Sequence, residues 1–378
     1  MQNLFRNLLQ FLLFLSIGCI ILFLVYRSQN EAYKNDCCIK NIPQWETVET
    51  QAEKDALLAE CRAAGTAETA CVPLLDKLIN DFGRVKYGWI ALVVLAFAIS
   101  NISRTYKWKM LLRPMGYNPR FINCFLSILV SYFANLGLPR MGEVVRAGVL
   151  SKYEKIPAEK VMGTIVVDRV VDVICLLLAF GLALLFESEK IIGFITENQS
   201  KEVEEAGGFP WKWAILLVGL TGGALLYLFR QRLAGSALFK KVSNILLGFW
   251  EGIKSVRQLD RPGWFVFHSL TIWVLFFVMT WLGFQAFGPT EHLDLRAALL
   301  VFVFGTLGMV IPSPGGMGTF HFLVITALTL FYGIKGDDAF SVANIIFFLV
   351  QIGCNSLLGI LALVVLPVIN QKSKVSVK

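Results

Sequence analysis

Two apolar stretches of this chain are cut by prolines and glycines, and those cuts restrict the fold more than any other feature. One reads SYFANLGLPRMGEVVR (Ser131–Arg146) and the other GMVIPSPGGMGTFH (Gly308–His321). Inside a bilayer a bare turn leaves N–H and C=O groups without partners. Such a turn persists only when packed in protein or lining a watery cavity. Two interrupted segments, one in each half of a chain, are how transporter-like membrane proteins build a binding site at the midplane.

The composition supplies that solvent. The chain is 56% hydrophobic and 16% charged, with a mean hydropathy of +0.63. Apolar runs at Leu8–Tyr26, Gly88–Ser103, Val161–Phe186, Trp211–Phe229, Trp264–Phe287 and Phe340–Ile369 are of spanning length or near it, while Phe121–Leu138 and Arg296–Tyr332 carry the breaks. The expected fold is an all-α polytopic integral membrane protein with about six to eight spanning helices. Its expected divisions are a first transmembrane helix (1–26), an extracytoplasmic loop (27–87), a membrane domain (88–369) and a basic tail (370–378). What lies outside the spans is too fragmented for a separate soluble domain, which weighs against a large catalytic head.

Lysine and arginine set the orientation. Arg104–Arg120 holds five basic residues and no acidic ones, Pro139–Lys160 five and three, and Arg230–Gly263 seven and two. These segments, with the three lysines after Ile369, read as cytoplasmic, whereas Glu187–Pro210, with six acidic and two basic residues, reads as outside. Both termini are then cytoplasmic, and a bacterial cytoplasmic membrane is the expected location. Both flanks of Phe121–Leu138 are basic, so that segment is expected to dip in from the cytoplasm and return. Both flanks of Arg296–Tyr332 lean acidic, so its break is reached from outside, as a re-entrant hairpin or as two packed spans. Breaks approaching the midplane from opposite sides are the geometry an inverted repeat produces. The plainer alternative is proline and glycine kinks in ordinary spans.

The N-terminal run Leu8–Tyr26 is longer than the roughly 7–15 residues of a signal-peptide core. It continues beyond the faint lipoprotein-like sequence Ser16–Cys19, so it reads as a retained span. The loop Arg27–Tyr87 has ten acidic and eight basic residues and holds Cys37, Cys38, Cys61 and Cys71. An outside location suggests two disulfides. The adjacent pair is expected to reach Cys61 and Cys71 rather than close on itself, with the connectivity open. Glu49–Ala64 has helical character, so a stapled helical hairpin is expected. The loop is either a lid or a contact for a protein partner. No histidine lies in it, which argues against a metal.

Asp168, Arg169 and Asp172 interrupt otherwise aliphatic sequence (GTIVVDRVVDVICLLL). Ionisable residues at membrane depth are costly and point to a functional site. Asp168 and Asp172, four apart, share a helical face, and Arg169 and Asp172 are close enough to pair. The competing role is a buried ion pair locking this helix to the Arg140/Arg146 segment. Arg140 and Arg146 flank Gly142 and Glu143 beside the first break at Pro139, where a guanidinium suits a lipid phosphate by forking onto two oxygens. Positive-inside anchoring is the alternative. At the second break Gly315, Gly316 and Gly318, after Pro312, permit close backbone approach, and a helix starting near Gly318 would offer N–H groups to an anion. Lys240–Leu259 reads as an amphipathic helix on the cytoplasmic leaflet, where anionic lipids attract its basic residues. The chain's net charge of +8 fits that surface; no nucleic-acid motif accompanies it.

The order of Arg104–Trp108, then NLGLPRMGEVVR with Asn135, then D-R-V-V-D, then IPSPGGMGTFH resembles the lysylphosphatidylglycerol synthase transmembrane-region family, the flippase-like or UPF0104 membrane proteins. The likeness runs from about Gly88 to Ile369. It implies lipid translocation or lipid handling. The aminoacyl-transferase domain of the fused synthases is expected to be absent, since the chain ends nine residues after Ile369. Where the family often has a glutamate after the Gly-Gly turn this chain has His321, either a titrating group or a hydrogen-bonded packing residue. The resulting expectation is a translocase for an anionic lipid, without catalytic residues, metal or cofactor. Arg140 and Arg146 would hold a phosphate between the two broken segments, and Asp168 with Asp172 would balance charge. The rivals are a membrane transferase acting on a lipid or lipid-linked sugar and a non-transporting scaffold.

Overall fold

A computed structural model describes residues 2–42, 45, 50–64, 71–137, 141–190 and 259–375. Trp211–Phe229 and residues 240–258 of the amphipathic stretch lie outside the described residues, as do Pro139 and Arg140. The described residues form twelve α-helices and no strand. Five continuous helical stretches are long and apolar enough to cross a membrane: Tyr87–Met115, Ala158–Phe186, Pro262–Ala286, Pro314–Tyr332 and Gly336–Gln371. This is a polytopic helical membrane protein, the architecture in which each segment satisfies its own backbone.

Helix α1 (Gln2–Asn41) is 40 residues long. At about 1.5 Å per residue it is roughly twice the hydrocarbon thickness. The 27–87 region is therefore not a loop throughout: its first part, to Asn41, prolongs the first helix and carries Cys37 and Cys38. Cys37 bonds Cys71 and Cys38 bonds Cys61, which ties α2 (Gln51–Ala63) and the start of α3 (Leu74–Gly83) to that extension. Helix α3 docks through Lys77, whose Nζ lies 3.0 Å from Asp81, 3.4 Å from Asp337 and 2.8 Å from Asp338. Ser341 donates to Asp81 at 2.7 Å.

Helices α4 (Tyr87–Leu112) and α8 (Pro262–Ala286) form an antiparallel central pair. Trp89 meets Trp281 near one end, and Tyr106 stacks on His268 near the other. Two helical hairpins enter from opposite ends of this pair. In the first, α5 (Phe121–Gly137) and α6 (Met141–Glu154) run antiparallel, with Asn123 bonded to Glu154 at the base and the Gly142 amide donating to Asn135 Oδ1 at the tip, 2.8 Å. Gly142 lies so close to Ser131 and Asn135 that no Cβ fits there. In the second, α9 (Leu295–Val310) packs antiparallel on α10 (Thr319–Tyr332), Gly308 against Phe320 and Phe304 against Phe331. Asp294 caps α9 by accepting from the Ala297 amide at 2.9 Å.

The other elements enclose the hairpins. Helix α7 (Ala158–Phe186) joins α9 through Ala183, Leu300 and Val303. Helices α11 (Gly336–Phe347) and α12 (Leu357–Val375) form one rod, wound as a π-helix over Phe348–Ser356. Gly359 of α12 rests against Phe133 of α5. The expected run Phe340–Ile369 thus begins earlier and ends later than its hydropathy indicates.

Burial alone lowers the proton affinity of the Lys77 ammonium. Its hydrogen bonds to Asp338 and Asp81, with the Asp337 charge, outweigh that and hold its pKa above the ordinary lysine value. A cation whose folded pKa is raised contributes fully below its unfolded pKa, about 10.4, and loses that contribution as pH rises through the folded value. The difference in thermal-unfolding midpoint between wild type and Lys77→Met should therefore stay constant from about pH 7 to about pH 10 and shrink only above that.

Candidate functional site

The described end of α5 meets the turn of the second broken segment. The turn Pro314–Gly316 has Gly315 at φ +57 and packs it on Leu136 of the first hairpin. Gly318, at φ +81, sits against Ile21 and Leu22 of α1, where an added Cβ would lie 2.7 Å from Ile21. Gly316 abuts Met309. Ser313 and Thr319 hydroxyls are 2.8 Å apart, and Thr319 also reaches the Gly308 carbonyl at 2.7 Å. Pro312 is on the exposed side of this turn. The glycines therefore serve close packing at the second tip, where Gly315 meets Leu136.

His321 is 1% exposed, and its Nδ1 accepts from the Gly318 amide at 3.4 Å, the reciprocal half of a capping box. Its ring lies 4.6 Å from that of Phe347. His321 is thus buried and hydrogen-bonded at the second tip.

The ions gather elsewhere, where α6 meets α4 and α7. Asp168 and Asp172 lie one turn apart on α7 and face Arg104 and Lys107 of α4. Lys107 Nζ is 2.6 Å from Asp168 Oδ1 and 3.3 Å from Asp172 Oδ1, and Arg104 Nη1 is 3.6 Å and 3.3 Å from their Oδ2 atoms. Arg146 of α6 joins through Nη1, 3.2 Å from Asp168 Oδ2. All five side chains are buried. Aromatic groups line the cluster: the Arg146 guanidinium is 3.7 Å from the Trp108 ring centre, Trp108 donates to Thr164 at 2.9 Å, and Trp273 donates to Asp172 at 3.4 Å. At the edge, Arg169 is half exposed and pairs with Glu143 at 2.6 Å, reaching Asp172 at 3.7 Å. Glu143, not Asp172, is the nearer partner of Arg169.

The structure thus brings Glu143, Arg146, Asp168, Arg169 and Asp172 together. It leaves Pro312, Gly315, Gly316, Gly318 and His321 at the other tip, with Asn135 closing the first. Arg104 and Lys107, which the sequence reading grouped with a basic flank and not with the site, are buried members of α4. Basic residues at the end of an apolar run look the same in sequence whether they enter water or turn into a core. Their spacing of three, on one helical face, was the signal available, together with two carboxylates on α7 and only one cation beside them.

Among the described residues no group of three His, Cys, Asp or Glu side chains is placed to hold a metal ion. Among the described residues the cluster holds three buried cations against two carboxylates, with the Arg169–Glu143 pair beside them.

A polytopic helical bundle with paired hairpins and a buried ion cluster is the class of membrane protein so defined. The family model for the lysylphosphatidylglycerol synthase TM region matches residues 69–359, and the chain belongs to that family. It is similar to a UPF0104 membrane protein of Methanocaldococcus jannaschii, 23% identical over 287 residues that cover 68% of this chain and 79% of the relative. A second UPF0104 membrane protein, from Methanothermobacter thermautotrophicus, is 25% identical over 272 residues, 65% of this chain and 74% of the relative. No solved structure matches the chain.

Removing one partner of a buried pair strands the other charges, whereas an exposed pair contributes little. Asp168→Asn should destabilise the protein by about 3–5 kcal/mol, as judged by thermal unfolding in detergent. Arg169→Gln should cost about 1 kcal/mol or less in the same assay.

Proposed function

We propose that this protein is a membrane lipid translocase that takes the negatively charged headgroup of a phospholipid, or of a lipid-linked phosphate, from one leaflet and releases it in the other. The observation that carries the reading is the buried cluster of Arg104, Lys107, Arg146, Asp168 and Asp172, which has more positive than negative charge. Such a group is expensive in hydrocarbon unless it serves a polar substrate. Membership of a family named for a lipid synthase's membrane region supports the same substrate class.

In this mechanism Arg146, on the re-entrant hairpin, holds the phosphate, and Arg104 and Lys107 share the carboxylates of Asp168 and Asp172 with it. Moving a headgroup past the midplane requires its charge to be matched throughout, and neighbouring cations and carboxylates can exchange partners as it passes. The protein acts here as a carrier, not an enzyme. The termini are cytoplasmic in this reading, with the disulfide-stapled region outside, as the distribution of lysine and arginine supports. That outer region is left as a lid or as a partner contact.

The test is reconstitution into vesicles carrying a trace of fluorescent phosphatidylglycerol, with exchange between leaflets followed by chemical quenching from outside. Wild type should accelerate translocation over protein-free vesicles, and Arg104→Gln should slow it by about tenfold or more, through the loss of its charge-assisted contacts to Asp168 and Asp172. Translocation no faster with wild type than in empty vesicles rejects the reading.

A further inference from the structure

Arg146 is 6% exposed, yet only one of its three guanidinium nitrogens is used. Nη1 meets Asp168, while Nε and Nη2 are buried and have no hydrogen-bond partner among the described residues. Those two nitrogens share one edge of the guanidinium, where their N–H bonds run parallel. That edge is the one that grips two oxygens of a single phosphate or carboxylate group. The Trp108 ring, 3.7 Å from the guanidinium carbon, holds the fork in its plane.

The charge count points to the ligand. Arg104, Lys107 and Arg146 supply three positive charges, Asp168 and Asp172 two negative ones, and Glu143 with Arg169 cancel. Among the described residues one positive charge is left over, in a setting where uncompensated charge is strongly disfavoured. Arg169 is half exposed although it lies 11 residues into a membrane helix. Arg169 touches both Glu143 on the hairpin and Asp172 inside, at the edge of the cluster.

We infer that the unpaired edge of Arg146 is the seat for one phosphodiester monoanion, and that the +1 balance of the five-residue cluster selects a singly charged headgroup over a doubly charged phosphomonoester. This rests on the lipid-translocase reading and narrows it. Of the two substrate classes left open there, a diester phospholipid fits and a lipid-linked monoester does not, because a monoester carries close to two charges above its second pKa of about 6. A free phosphodiester in solution shares the chemistry, so the seat is tested with both sources.

The experiment places the full chain in nanodiscs of phosphatidylglycerol, phosphatidic acid and phosphatidylcholine in equal parts at about pH 8, where the monoester is mostly doubly charged. Lipids retained on the repurified protein are then measured by mass spectrometry. Wild type should enrich phosphatidylglycerol over phosphatidic acid. Arg146→Gln should reduce that enrichment about tenfold, while Arg146→Lys, which keeps the charge and loses the fork, should fall between. Asp172→Asn raises the balance to +2 and should shift the preference toward phosphatidic acid. That arm reads a gain, which misfolding cannot imitate.

Dimethyl phosphate added to detergent-purified protein distinguishes the sources. If it displaces bound phosphatidylglycerol, the headgroup alone suffices; if phosphatidylglycerol stays bound, the acyl chains are part of recognition. Equal retention of the two anionic lipids by wild type overturns the inference, as does an Asp172→Asn protein with unaltered preference. The vesicle assay separates this from the broader reading. Translocation without headgroup preference defeats the monoanion seat alone, and selective binding without translocation defeats the translocase alone.

Discussion

Hydrocarbon offers a backbone nothing to hydrogen-bond with, and the described residues beside the two breaks are placed to answer that condition. Beside both breaks the described backbone packs against protein. At the first, Asn135 takes the Gly142 amide. At the second, His321 takes the Gly318 amide while the Thr319 hydroxyl binds that of Ser313 and donates to the Gly308 carbonyl. The tips then lean on each other through Leu136 and Gly315, and α1 closes the second tip through Ile21. Because each hairpin supplies part of the other's covering, neither is complete alone.

The same condition explains where the charges lie. An isolated guanidinium or carboxylate in hydrocarbon is costly, and the cost falls when opposite charges share one site. Helices α4, α6 and α7 each bring part of such a site, and Trp108, Trp273, Phe265 and Phe276 surround it. The site lies behind the first hairpin, not between the two tips. Movement of that hairpin would therefore act on the ions through Arg146 and Glu143, both on α6.

Much of the fold was legible. Apolar run length marks the spans, and proline–glycine spacing marks the breaks at Ser131–Arg146 and Gly308–His321, because both follow from properties of single segments. Helix α1 was legible only as far as Tyr26. Its continuation to Asn41 is polar, and it is held there by disulfides and the packing of α2. Within the site, Asp168, Asp172 and Arg146 announced themselves as charges in or beside aliphatic sequence. Arg104 and Lys107 did not, since they end an apolar run exactly where an ordinary cytoplasmic anchor would.

Sequence by itself determined the solvent, the helical class, the two breaks and the residues too polar for their surroundings. These are local facts, set by which side chains a segment carries. Only the tertiary structure decided which partner each charge has, that three cations converge on two carboxylates, and that the glycine-rich tip is packed instead of open. Pairing depends on the rotation and depth of helices far apart in the chain. Nothing in one segment records that α4, by turning Arg104 and Lys107 inward, would meet the carboxylates of α7 some 65 residues on.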